Sequence, residues 1–304
     1  MGAIGERNAR RFHVARWLDT ADAAAHRICG AAYHRSVIPT SVRPWAEADP
    51  RALSGVLGVL TDIDDTLTTD GEVTPDVVRA IGELREAGLP VIAVTGRPMG
   101  WSRPLVASTP LEAVVAENGA VALFEEHGRE TIEFDQPGPV REANALKLRA
   151  VAARILAEVP GATLAQDSAG RVTDIAVDHA EFARLDDEAV ERVVALMREA
   201  GMTATVSSIH VNGWFGAHDK RSGARWIVRR RLGRELDAEQ GRWIYVGDST
   251  NDQAMFAAFP LSVGVANLAA FADRLHTWPA FITAEPRGRG FVAVAEALLA
   301  ARRG

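Results

Sequence analysis

VLGVLTDIDDTLT, residues 56–68, runs from an unbroken apolar segment into three carboxylates, Asp62, Asp64 and Asp65. An apolar run without polar alternation is what a strand covered on both faces requires, as in a parallel sheet. In such a sheet ligands bind beyond the carboxyl ends of the strands, so these acids stand where chemistry is expected. Asp62 and Asp64 are two residues apart and project to the same side of extended backbone. Their charges repel unless a cation or a shared proton relieves them. The plain alternative, a turn with surface acids, does not account for an apolar strand that ends in three of them.

The same pattern recurs outward from this segment. PVIAVTG (90–96), AVVAEN (113–118), WIYVGD (243–248) and LSVGVAN (261–267) are short β-branched runs, each ending in a polar or glycine-containing turn. Between the first two runs, Thr74 is a natural N-cap, Pro75 suits the first helical position and Gly88 closes a helix, whose apolar stripe is Val77, Val78, Ile81 and Leu84. Strand, helix and strand make a βαβ unit. The fold class is therefore α/β with a Rossmann-like parallel sheet.

The middle of the chain reads differently, with a helix-like stretch at 140–158, strand-like runs at 162–168 and 171–178, a helix at 186–200 and a strand pair around 203–216. Helices followed by paired strands predict an α+β module, placed at 128–214 as an inserted cap. The core is then discontinuous, 54–127 and 215–304. Residues 1–53 are expected to be an extension outside both, with no packed fold of its own. Its first 43 residues carry seven arginines against three acids, a net +4. An accessory helix or a targeting role is the alternative.

Other strand ends supply matching chemistry. WIYVGD delivers Asp248 and leads through Ser249-Thr250-Asn251 to Asp252 at a helix start. Four carboxylates gathered at one edge call for a hard divalent cation, and an all-oxygen site of this kind suits Mg²⁺. Thr95-Gly96-Arg97 places a hydroxyl and a flexible amide where an anion could bind. Lys220, before a helix expected at 224–232, offers a point positive charge to a phosphate.

In this order, DxDxT, TGR, Lys and GDxxND, the chain resembles the haloacid dehalogenase superfamily of phosphohydrolases over residues 54–304. The resemblance implies a phosphatase acting through an aspartyl-phosphate, with Asp62 as nucleophile and Asp64 as general acid and base. It implies that Thr66 holds the turn, and that Mg²⁺ is bridged by Asp62, the Asp64 carbonyl and Asp248. Thr95, Gly96 and Lys220 would then hold the phosphoryl group, with Asp252 and Asn251 in support. A halide leaves without a proton, so an acid at Asp64 favours phosphate esters over haloacids.

The inserted module is similar to the cap of the Cof-type, IIB subfamily, which includes sucrose-phosphatase and mannosyl-phosphoglycerate phosphatase. Glu117-Asn118-Gly119-Ala120 matches the turn that subfamily carries before its cap, so Asn118 either faces the substrate or is a turn asparagine beside glycine. Ser207 to Trp214 alternates, which puts Ser208, His210, Asn212 and Trp214 on one strand face. Hydrogen-bonding groups beside an aromatic suit a sugar or polyol; packing of His210 and Trp214 against a cap helix is the alternative. Arg103 reads as a surface residue or a contact to a second anion. Arg229, Arg230, Arg231 and Arg234 read as a solvated helix face.

Composition fits this assignment. The chain has 304 residues, 47% hydrophobic and 24% charged, with a formal charge of −6 and one cysteine, Cys29. A lone cysteine cannot form an intramolecular disulfide, which points to a reducing compartment. No segment approaches the ~18 consecutive apolar residues of a membrane span, and an acidic chain offers no overall footprint for nucleic acid. The expected protein is a cytoplasmic Mg²⁺-dependent phosphatase of a small phosphorylated metabolite, a sugar or polyol phosphate, without membrane or nucleic-acid partners. A phosphomutase using the same aspartyl-phosphate and a non-catalytic sugar-phosphate sensor are the alternatives.

Overall fold

The computed structural model describes residues 38–303. In chain order the strands are β1 (Arg43–Pro44), β2 (Gly58–Thr61), β3 (Thr68–Thr69), β4 (Glu72–Val73), β5 (Val91–Val94), β6 (Ala113–Ala116), β7 (Val121–Glu126), β8 (Arg129–Phe134), β9 (Thr163–Leu164), β10 (Asp174–Asp178), β11 (Thr203–Val206), β12 (His210–Trp214), β13 (Trp243–Gly247), β14 (Leu261–Gly264) and β15 (Phe281–Ile282). The α-helices are α1 (Pro50–Ser54), α2 (Pro75–Glu86), α3 (Met99–Ser108), α4 (Gly138–Glu158), α5 (Asp187–Glu199), α6 (Lys220–Leu232), α7 (Gln253–Ala258) and α8 (Arg287–Arg303).

Nine strands form one sheet in the order β1-β15-β14-β13-β2-β5-β6-β7-β8. It is parallel from β1 to β6, and β7 and β8 add an antiparallel edge. Alternate residues of the central strands serve two cores, which explains their unbroken apolar sequences. Val59, Val91, Ala93 and Val246 pack against α2 and α8 through Val77, Ile81, Leu84, Phe291 and Leu298. Leu60, Ile92, Val94 and Tyr245 pack the other way, against Ala224 and Ile227 of α6 and Met255 and Phe256 of α7. In α2 the buried stripe is Val77, Ala80, Ile81 and Leu84, with Ala80 in the place expected for Val78.

A second, four-stranded antiparallel sheet has the order β11-β12-β10-β9. Its core joins Leu148, Val151 and Ile155 of α4 to Val193, Leu196 and Met197 of α5 and to Val177 and Val211 of the sheet. This α+β module, the cap, lies between Phe134 and the start of α6.

Several boundaries differ from expectation. The boundary at 128 falls inside a hairpin, because His127 and Gly128 both take positive φ, 52° and 75°, and return the chain as β8 to the large sheet. The extension is likewise shorter than 1–53. Residues 1–37 lie outside the described residues, but β1 pairs in parallel with β15 and Trp45 is buried in an edge-to-face contact with Phe281 at 5.6 Å. Asp49 caps α1 through the Arg51 N–H, with Pro50 behind it. The cap strands are shorter than the runs expected, since Gln166–Gly170 is a 3₁₀ turn. Lys220 opens α6 rather than preceding it, because Asp219 and Ser222 form a capping box one residue earlier.

Candidate active site

Parallel pairing sets the site. β2 lies between β13 and β5, so Asp62, Asp248 and Thr95, each just past the end of its strand, emerge side by side at one edge. The Asp62 N–H donates to the Val246 carbonyl at 2.9 Å, which extends the ladder by one residue and fixes the carboxylate. Asp252 comes back into the same space from the turn after β13. Its Oδ2 accepts the N–H groups of Asp248 and Ser249 at 2.9 and 3.1 Å, and its Oδ1 accepts from the Tyr245 hydroxyl. Lys220, on the first turn of α6, donates from Nζ to Asp62 Oδ1 at 2.8 Å and to Asp252 Oδ1 at 2.7 Å.

These groups are all but closed to solvent, and the charge is uncompensated. Asp62, Asp248 and Asp252 can each offer a carboxylate oxygen within 4.8 Å of the others, against the single ammonium of Lys220. Burial, with Asp252 and Asp62 beside it, pushes the Asp248 carboxyl well above the usual carboxylate range. Burial pushes Asp62 up to about 7, Lys220 pulling the other way and Asp252 and Asp64 adding to the rise. Lys220 is held charged by Asp252 and Asp62 although burial opposes it. Asp248 Oδ1 is buried without a hydrogen-bond partner, an arrangement that is costly unless something fills it. Both Asp252 oxygens are already engaged, so the oxygens left to a cation belong to Asp62 and Asp248. A hard divalent cation fits this all-oxygen set, and its charge would restore both to carboxylates.

The Thr95-Gly96-Arg97 turn follows β5. Thr95 N–H donates to Val115 and Thr95 C=O accepts from Asn118 N–H. The Arg97 N–H donates to Thr95 Oγ1 at 3.0 Å, which leaves the hydroxyl proton free to donate. Gly96 N–H has no protein partner among the described residues. A Cβ at Gly96 would stand 2.7 Å from Asn212 Nδ2, so any side chain here would push the cap's Asn212 aside. In the first turn Thr66 Oγ1 is buried and unpartnered. Asp65 takes a positive φ of 52°.

Asp64 is not free in this conformation. Arg97 donates from Nε to both its oxygens at 2.9 and 3.0 Å, and the same guanidinium reaches Asp167 at 3.2 Å and Glu181 at 2.9 Å in the cap. Glu181 also meets His210 Nε2 at 2.8 Å. Burial would raise the Glu181 carboxyl, but the hydrogen bond from His210 and the Arg97 charge outweigh it and hold it at about 2. Asn212 is buried beside Gly96, with Oδ1 unpartnered. Asn118, at a φ of 57°, is a turn residue that also donates to Asp174 of the cap at 3.3 Å.

Trp214 does not join this group. Its indole N–H donates to the His218 carbonyl at 2.9 Å and its ring stacks on His218 at 5.6 Å, so the aromatic surface expected beside His210 is buried in packing. Asn251 accepts from Ser249 Oγ at 2.9 Å and serves its own turn. Arg103 pairs with Glu130 at the surface, and Arg229, Arg230, Arg231 and Arg234 each pair with glutamates.

Motif reading missed several participants. Asn267 donates to the Asp65 carbonyl at 3.0 Å and to Asp248 Oδ2 at 3.3 Å, tying two strand ends together. It closes the run LSVGVAN, and its position at a strand end was the available signal. Tyr245 lies within WIYVGD. Asp167, Arg171 and Glu181 sit in irregular cap segments and had none.

Residues 59–146 match the family model of haloacid dehalogenase-like hydrolases. Solved structures of similar fold include a protein of Thermoplasma acidophilum (TM-score 0.61, 17% identity, covering 80% of this chain and 98% of that one). The sucrose-phosphatase of Synechocystis, solved with sucrose and phosphate, gives a TM-score of 0.58 at 15% identity, over 80% of this chain and 97% of the other. A trehalose-6-phosphate phosphatase related protein gives 0.54 at 16% identity, over 81% and 99%. No curated protein matches the sequence.

Proposed function

We propose that the chain, whose residues 59–146 match the family model of haloacid dehalogenase-like hydrolases and whose fold resembles that of the solved structures above, is a Mg²⁺-dependent phosphatase of a small phosphorylated metabolite, a sugar or polyol phosphate. The observation that carries this reading is the Asp62–Lys220–Asp252 bridge next to the unpartnered oxygen of Asp248. It supports reading Asp62 as the nucleophile, Lys220 as the cation that binds phosphate and Asp248 as a metal ligand, because the three meet at one point.

Asp62 attacks phosphorus with the carboxylate oxygen that Lys220 leaves free, and the bond from phosphorus to the departing alcohol breaks. Asp64 supplies that alcohol with a proton. Water then attacks the aspartyl-phosphate while Asp64 accepts a proton from it, and inorganic phosphate and the Asp62 carboxylate are returned. One hard displacement is thereby split into two easier ones. The Gly96 N–H, the Thr95 hydroxyl and the Lys220 ammonium donate to the phosphoryl oxygens. Asp62, Asp248 and the Asp64 carbonyl would hold Mg²⁺, which when bound neutralises charge between the phosphoryl oxygens and the carboxylates.

Asp64 must exchange its contact with Arg97 for the leaving-group oxygen, so substrate binding has to rearrange the ion pairs that Arg97 makes across to the cap. Glu181, His210, Asn212 and Asn118 surround Arg97 and Gly96 and carry groups that can hydrogen-bond hydroxyls. The fold likeness to a sucrose-phosphatase supports a sugar phosphate as the class. A non-catalytic sensor would need neither Asp62 nor Asp64.

The test is phosphate release with Mg²⁺ across phosphorylated sugars, polyols, nucleotides and a generic aryl phosphate, with Asp62→Asn as control. Expected are turnover that chelation abolishes and a loss of about 10³-fold or more in Asp62→Asn, with an unchanged circular dichroism spectrum. No release from any ester, or full activity in Asp62→Asn, overturns the reading. An isomerised ester in place of free phosphate selects the phosphomutase.

A further inference from the structure

Arg171 leaves the cap between β9 and β10 and ends against the core. Its side chain is 2% exposed. It donates from Nη1 to the Gly96 carbonyl at 2.9 Å and to both Asp174 oxygens at 2.9 Å, and from Nε and Nη2 to Asp167 at 3.2 and 3.3 Å. The backbone beside it is gripped in return. The carboxylate of Glu117, just past β6, accepts the N–H groups of Met99, Val172 and Thr173 and the Thr173 hydroxyl. A core carboxylate thus holds cap backbone while a cap guanidinium holds core backbone. Between them Glu117 and Asn118 stay at positive φ, 49° and 57°, a conformation that persists only where its surroundings impose it.

The Gly96 carbonyl is a telling place to be held. Thr95 N–H and C=O, Arg97 N–H and Arg97 C=O are all bonded within the core, to Val115, Asn118, Thr95 Oγ1 and Glu117. With Arg171 on the Gly96 carbonyl, the Gly96 N–H is the one backbone group of this turn left for a ligand among the described residues. A donor works only when aimed, because hydrogen bonds weaken steeply with misalignment, and glycine has no side chain to restrain its own backbone.

We propose that Arg171 is a positioning residue for phosphate capture, one that orients the Gly96 amide from the cap. This rests on the phosphatase reading and extends it. His210 and Asn212 can act only on a substrate that touches them. Arg171 acts on every substrate, including one too small to reach the cap, because its target is the phosphate-binding turn itself. Seating of the cap and binding of phosphate are then one equilibrium.

The experiment uses the full chain with Mg²⁺, a small aryl phosphate as substrate and inorganic phosphate as competitive inhibitor. Arg171→Lys keeps the positive charge but not the planar fork, and Arg171→Met/Asp174→Asn removes the buried charge together with a partner, so that no new unpaired ion prevents folding. Expected in both is a rise in KM and in the phosphate inhibition constant, about tenfold in Arg171→Met/Asp174→Asn, as for loss of one charge-assisted hydrogen bond. The rise should be smaller in Arg171→Lys, which keeps one donor for the Gly96 carbonyl, and kcat should change less than KM. Unchanged KM and inhibition constant in either folded variant, with only a lowered melting temperature, overturn the proposal and reduce Arg171 to a packing role. A wild-type protein that hydrolyses no phosphate ester fails the proposed function instead.

Discussion

At the scale of the residue, Asp62 and Asp64 are two carboxylates of one turn in opposite circumstances. Asp62 is buried and bonded to Lys220, whereas Asp64 is clamped by an arginine that also holds two cap acids. A nucleophile needs a fixed oxygen, and a proton donor needs to reach whatever leaves. This difference predicts how Asp64→Asn behaves. An aryl phosphate has a good leaving group and needs little protonation, while a sugar phosphate releases a poor alkoxide and needs it fully. Asp64→Asn should therefore slow the sugar phosphate by about 10²-fold or more and the aryl phosphate much less, as steady-state rates on the two substrates will show. Equal losses on both would remove Asp64 from the proton-transfer role. The acidic turn after β2 was legible in the sequence because its residues are neighbours. The Arg97 network was not, since its partners lie 33, 70 and 84 residues away and meet only through the path of the chain.

At the scale of the element, periodicity revealed what was long and missed what was short. The buried strands β2, β5, β6 and β13 carry four or five apolar or small residues in a row, enough to stand out from the helices between them. β1 has two residues and α1 has five, too few for any period, so residues 38–53 looked like an unstructured lead. Asp49-Pro50, an N-cap followed by proline at the first helical position, was the local sign of order. This segment completes the sheet edge: Trp45 is 6% exposed, its indole N–H donates to the Ala293 carbonyl at 3.2 Å and its ring meets Phe281. Trp45→Ala should accordingly destabilise the protein by about 3–5 kcal/mol in denaturant unfolding, with little effect on kcat/KM, because β1 is four strands away from β2 in the sheet. A change below about 1 kcal/mol would mean that the edge strand is dispensable.

At the scale of the whole molecule, buried carboxylates at the site and in the cap make the fold sensitive to pH and, on the proposed reading, to metal. Asp62 and Asp174 rise to about 7 in the folded protein from 3.8, in both cases chiefly through burial, and Asp248 rises further from the same cause. A raised folded value means that the folded chain binds protons the unfolded chain has released. The stabilisation is therefore complete below about pH 4 and is lost as pH rises through about 7. His179 and His218 act in the opposite sense, since burial lowers both. The clean comparison is thus each pH with and without Mg²⁺, which none of Asp174, His179 and His218 is placed to bind. A cation on Asp62 and Asp248 competes with protons for the same oxygens and stabilises the folded state by mass action. Mg²⁺ should raise the melting temperature clearly at about pH 8 and much less at about pH 5.5, and Asp248→Asn should lose most of the effect at the higher pH. Thermal melts at the two pH values, with Mg²⁺ or with chelator, decide the matter. An equal Mg²⁺ shift at both values, or one that survives Asp248→Asn, would place the cation elsewhere than between these two strand ends.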